Sequence, residues 1–124
     1  AKRGVSGNRT IGSLYDLITA VNQSELPNSP KLVYPPGQWN RARIVVQGDY
    51  VEHWLNNILV VKYYRGTQIF RALVAYSKYA KWPNFGEWEK GPILLQDHGD
   101  LVSFRSIKIK DLTLYKEHGY DNGT

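Results

Sequence analysis

Three runs of residues stand almost end to end near the middle of the chain: RARIVVQ (41–47), YVEHWLN (50–56) and ILVVKYY (58–64). Gly48-Asp49 separates the first pair and Asn56-Asn57 the second. Gly and Asn tolerate positive φ, the conformation that tight hairpin turns require. Three strand-like runs joined so closely predict an antiparallel meander.

The rest of the chain is arranged around that meander. Residues 1 to 13 (AKRGVSGNRTIGS) carry no hydrophobic period and read as a loop. Leu14 to Val21 is a short apolar segment, a strand or a single helical turn. Pro27, Pro30, Pro35 and Pro36 make Asn22 to Gly37 an excursion, because proline removes a ladder donor. In Gln68 to Tyr79, Ile69, Leu73 and Tyr76 recur at i, i+4 and i+7, which predicts a short helix with those three on one face. Lys81 to Gly91 is a loop holding two Trp and one Phe. Two more strands are expected at about 92–97 and 101–109, and the tail from Lys116 is polar.

Most of the ordered chain is thus antiparallel β with one short helix, the pattern of a sandwich or barrel. With 124 residues, 42% of them hydrophobic, the chain is long enough for one domain and one modest core. Five or six strands make a sparse sandwich, so the domain reads as incomplete. The absence of a signal peptide and of Met, even at position 1, fits a processed or cut chain.

Several function classes recede at this point. Cysteine is absent, so neither disulfides nor thiolate chemistry is available. No apolar run approaches the roughly 20 residues of a membrane helix. The net charge of +5 invites nucleic acid as a partner, but the basic residues form no dense block and read as solvated surface. No phosphate-binding loop, nucleophile elbow or HExxH zinc motif occurs.

Two places carry chemistry. In YVEHWLN, alternation puts Val51, His53 and Leu55 on one face and Glu52, Trp54 and Asn56 on the other. The first set is mostly apolar and faces a core, so His53 reads as a satisfied core or edge histidine. The second combines a carboxylate, an indole and an amide, the mixture that binds sugars, although a solvated strand face has the same composition. The other place is Gln96-Asp97-His98-Gly99-Asp100. Alternation pairs Gln96 with His98. A histidine between carboxylates can take and return a proton near neutrality. One histidine and two carboxylates can also hold a divalent cation, though no named metal motif is present and none is required. The plainer reading is a turn in which an Asp side chain caps backbone donors.

The strings WNRARIVVQGDYVEHWLNN, RALVAYSKY and FGEWEKGPILLQDHGDLVSFRSIKIKDL resemble the 3-keto-disaccharide hydrolase domain family. The early GNRTIGSLYDLI is also similar, so the resemblance runs from about Gly7 to Leu112, and LQDHGD followed by FRSIKI is its most specific element. The family usually has Asn where this chain has Ser106, and commonly Gly where it has Asn57. The resemblance implies a jelly-roll β-sandwich of the concanavalin A-like lectin/glucanase type with a concave face. It implies that this chain is the later part of that domain, strands before Gly7 belonging to the rest of the native protein. It implies a 3-keto-glycoside as substrate, and a periplasmic or secreted location. His98 is then the candidate base, with Asp97 orienting it or binding metal and Arg105 stabilising an enolate. Glu52, Trp54 and Gln96 position the sugar. A non-catalytic carbohydrate-binding module is the alternative, because the same sandwich serves lectins.

Overall fold

A computed structural model of the chain describes residues 10–20 and 33–113. The chain divides into two compact units, Ala1–Glu89 and Lys90–Thr124.

The first unit is built on the expected meander. Strands β1 (Ala42–Gln47), β2 (Tyr50–Leu55) and β3 (Ile58–Tyr64) form an antiparallel sheet in the order β1-β2-β3. Gln47 pairs with Tyr50 across the two-residue Gly48-Asp49 turn, and Leu55 pairs with Ile58 across Asn56-Asn57. Gly48 has φ of 61°, and Asn56 and Asn57 have φ of 49° and 67°. A tight right-twisted hairpin takes positive φ at its first central residue or at both, and Asn accepts it more readily than most residues. Asn56 does more than turn. Its Oδ1 accepts from the Arg41 backbone N–H at 2.8 Å, and its Nδ2 donates to Asn40 Oδ1 at 2.9 Å. Asn40 in turn bonds both backbone groups of Tyr34, so this turn also anchors the segment that enters β1.

The two sheet faces differ as alternation requires. Val51 and Leu55 are buried, and the core gathers Leu55, Val60, Val61 and Ala20, with Ile18, Ile58 and Tyr63 packed against them. Val60 and Val61 are adjacent yet both buried, which plain alternation forbids. A bulge resolves this: His53 pairs with Val61 but Trp54 pairs with Leu59, so Val60 is the extra residue and turns inward. A Cβ at Gly12 would meet Val60 Cγ2 at 3.2 Å, so the N-terminal turn lies tight on this face. That turn is neither strand nor helix. Leu17 and Ile18 both donate to the Leu14 carbonyl at 2.9 Å, with Asp16 at positive φ between them. Val21 and residues 22–32 lie outside the described residues, as does the tail from Lys116.

Helix α1 (Gln68–Ala75) follows β3. Thr67 caps it: its Oγ1 accepts from the Phe70 N–H at 3.1 Å, one of the donors that a helix start leaves unpaired. The helix ends near Ser77, whose hydroxyl donates to the Val74 carbonyl at 2.8 Å and accepts from the Tyr79 N–H at 3.0 Å. The buried face is not the expected one. Phe70 goes inward, with Leu73 and Val74 half-buried, whereas Ile69 is 76% and Tyr76 94% exposed. Tertiary contact decides this. The Phe70 ring stacks on Tyr63 at 5.9 Å and 10°, and Gly86 closes over its edge.

The loop after α1 is tied back by two arginines. Arg65 donates to the carbonyls of Gly86 (3.3 Å), Trp88 (3.2 Å) and Gly48 (3.0 Å), which joins the β1–β2 turn to the loop. Arg71 on the helix grips Glu87 through both Nε and Nη2, the shortest contact being 2.9 Å. Gly86 itself has φ of 76°, and a Cβ there would lie 2.9 Å from Phe70 Cζ. Gly86→Ala therefore combines left-handed backbone strain with overpacking, and is expected to cost about 1–3 kcal/mol. A urea midpoint unchanged from wild type would refute the contact.

In the second unit the expected strands at 92–97 and 101–109 are not formed. A strand exists only through a ladder with a neighbour, and these segments have none among the described residues. Their apolar side chains are exposed, Leu94 by 82% and Leu101 by 98%. Gly99 and Ser106 both have positive φ, 94° and 54°. The Ser106 conformation interrupts extended backbone within 101–109, so alternation assigns no face to Arg105. Asn is more at ease than Ser in this conformation.

Candidate functional site

Register places the outer face of the sheet residue by residue. Opposed residues on neighbouring strands share a face. Arg43, Val45 and Gln47 of β1 stand opposite Trp54, Glu52 and Tyr50 of β2. On the other side Lys62 and Tyr64 of β3 stand opposite Glu52 and Tyr50. The two site residues expected on this strand, Glu52 and Trp54, are brought together: Trp54 Nε1 donates to Glu52 Oε1 at 3.1 Å. The Tyr50 hydroxyl donates to the other oxygen, Oε2, at 2.7 Å. Tyr50 leans on Tyr64 with ring centroids 5.0 Å apart, and the Arg43 guanidinium lies 4.5 Å over the Trp54 ring. A connected chain of contacts thus runs Arg43–Trp54–Glu52–Tyr50–Tyr64 across three strands.

The electrostatics follow from these contacts. The hydrogen bonds from Tyr50 and then Trp54 hold the Glu52 carboxyl below its usual range, helped by the charges of Arg43 and Lys62 and opposed by burial. The same bond to Glu52 pushes the Tyr50 hydroxyl up to about 12, so it stays a donor at neutral pH. Glu52 is therefore a fixed anion that holds two aromatic rings, and it is poorly suited to proton transfer. Because its folded value lies below the unfolded one, its stabilising effect is complete above the unfolded value of about 4.3 and is lost as pH falls through the folded value. Glu52→Gln should flatten the decline in stability between about pH 5 and pH 2, read by urea unfolding across that range. An acid limb as steep as wild type would show that Glu52 has no such role.

His53, on the inner face, is the satisfied histidine that its parity predicts. Its Nδ1 donates to the Gly12 carbonyl at 2.9 Å, which can only accept, and Nε2 faces the Tyr63 hydroxyl at 3.4 Å. The ring links the N-terminal turn to the sheet.

Gln96, Asp97, His98 and Arg105 belong to the second unit and are exposed. The turn reading of Asp97 is realised: its Oδ1 accepts from the Gly99 N–H at 3.0 Å. Among the described residues no hydrogen bond or ion pair joins His98 to Asp97 or Asp100. No group of three or more His, Asp or Glu side chains gathers as metal ligands among them either, and no described helix is long and apolar enough to cross a membrane.

Sequence reasoning named Glu52 and Trp54 but missed Tyr50, Tyr64 and Arg43. Tyr50 has the parity of Glu52 and Trp54. Taking Gly48-Asp49 as a two-residue turn sets 47 opposite 50 and therefore 43 opposite 54, so the signal for Arg43 was present as well.

Comparison with known proteins bears on the whole arrangement. A family model described as the 3-keto-alpha-glucoside-1,2-lyase-like domain matches residues 2–110. A 3-keto-disaccharide hydrolase of Bacteroides thetaiotaomicron is 38% identical over 122 residues, covering 90% of this chain and 39% of that protein. The chain thus spans well under half the length of that relative. The crystal structure of an inferred glycosyl hydrolase from Parabacteroides distasonis superposes with a TM-score of 0.50 at 26% identity, over 61% of this chain and 31% of the other.

Proposed function

The chain belongs to the 3-keto-alpha-glucoside-1,2-lyase-like domain family, and from that premise we propose that its native protein cleaves 3-keto-glycosides or 3-keto-disaccharides by elimination followed by hydration. The observation that carries the reading is the 38% identity to a 3-keto-disaccharide hydrolase along 90% of this chain.

The chemistry suits the residues proposed for it. A ketone at C3 of a sugar acidifies the proton on C2. A base removes that proton and the electron pair passes to the C3 oxygen as an enolate. The enolate then expels the glycosidic oxygen from C1, which leaves as an alcohol after taking a proton. Water adds to C1 of the resulting enone and a proton returns to C2, so the net reaction is hydrolysis without an oxocarbenium ion. Such a site needs one base near C2, an enolate stabiliser and an acid that protonates the leaving oxygen, and the paired carboxylates of ordinary glycosidases are not required. His98 is the proposed base and Arg105, permanently charged, the stabiliser. Asp97 shapes the turn that carries His98. Glu52, Trp54 and Gln96 are proposed to position the sugar.

The three-stranded sheet is read as part of a concanavalin A-like jelly-roll sandwich whose other strands the rest of the native protein supplies. Ile44 and Val46 support this: they share the core-side face of the sheet yet are 67% and 50% exposed. A periplasmic or secreted location goes with the same reading.

The test is to incubate the full-length protein with a 3-keto-glycoside in D2O. Release of the aglycone with one deuterium at C2 of the sugar is expected. Release from the unoxidised glycoside at an equal rate, without deuterium, would overturn the elimination. A lectin-like module is the second reading, favoured by the ordered Arg43–Trp54–Glu52–Tyr50–Tyr64 face. It predicts that the glycan binds and is recovered unchanged.

A further inference from the structure

Arg43 alters what the sheet face can recognise. Its guanidinium carbon lies 4.5 Å over the Trp54 ring. That face of the indole is covered by a cation instead of lying open for a sugar ring. The contact with the indole holds the guanidinium over the sheet face, and the Trp54 ring is itself held by its bond to Glu52. The N–H donors of Arg43 make no hydrogen bond with the described residues. Lys62 adds a second cation on the same face. Glu52 is the one acid among the outer-face positions of the three strands, and both of its oxygens already accept hydrogen bonds.

We infer that Arg43 is a specificity-determining residue, and that the glycan bound on this face carries a carboxylate, as a uronic acid unit does. The inference rests on the carbohydrate reading above. A planar carboxylate matches the guanidinium fork through two parallel N–H···O bonds, a match that a point charge does not offer. Lys62 strengthens the attraction, and the Tyr50–Tyr64 pair leaves aromatic surface for a neighbouring neutral unit.

Titration calorimetry of the full-length protein tests this with two disaccharides, one ending in glucuronic acid and the other in glucose. The acid form is expected to bind about tenfold more tightly, with a preference that shrinks as salt is raised. In Arg43→Gln the ratio of the two affinities should fall to within about twofold, the remainder coming from the Lys62 charge, and Arg43→Lys should recover only part of it. Arg43 is an exposed side chain, so the thermal midpoints of both variants should stay at wild type and folding is not confounded. Equal affinities in the wild type, a preference that survives Arg43→Gln undiminished, a fully competent Arg43→Lys, or a sulfated disaccharide preferred to the uronate would each overturn the inference alone. Failure of both disaccharides to bind would overturn the carbohydrate reading and this inference with it.

Discussion

His98→Ala is expected to lower turnover of a 3-keto-glycoside by roughly 10²–10⁴-fold, the usual contribution of a positioned general base. The thermal midpoint should stay where it is, because His98 is exposed and bonds to none of the described residues. Separating the two readouts is the value of the experiment. A near-wild-type rate would remove His98 from the mechanism, and a lowered midpoint would show a structural role. Asp97→Asn is the companion variant. Asn can make the same turn-closing bond to the Gly99 N–H, so if Asp97 only shapes the turn the rate should stay within a few-fold of wild type. A loss matching His98→Ala would instead mean that the carboxylate acts on the imidazole.

The largest stability effect is expected at Phe70. Its ring is 3% exposed, stacks on Tyr63 and fills the space beneath Gly86. Phe70→Ala removes the ring and leaves a cavity, at a cost of about 3–5 kcal/mol. That is a large fraction of the 5–15 kcal/mol or so that holds a domain folded. Denaturant unfolding should show a lower midpoint with an unchanged slope. Phe70→Leu should recover a good part, because most of the apolar volume returns. A loss below about 1 kcal/mol for the alanine variant would mean that the helix does not depend on this anchor.

The meander was legible because everything that sets it is local. Gly48, Asn56 and Asn57 accept the positive φ of tight turns, and alternation in YVEHWL assigns each side chain to a face. That Glu52 and Trp54 share a face followed from that alternation alone. The bulge at Val60 was not visible, since nothing in ILVVKYY marks which valine is extra. The helix was predicted at the right place but on the wrong face. Periodicity favoured Ile69, Leu73 and Tyr76, and a shift of one residue to Phe70 is equally compatible with a helical repeat.

The strand turns, the side-chain parity and the capping Thr67 follow from φ preferences and short-range hydrogen bonds, which act over a few residues and are written in the order of the chain. The choice of Phe70 as anchor depended on Tyr63 and Gly86, which reach it only once the chain has folded back. The seat of Arg43 on Trp54 required two strands in register. The segments 92–97 and 101–109 show the other side of the same rule. Their composition favours strands, but a ladder needs a neighbour, and only tertiary structure supplies one.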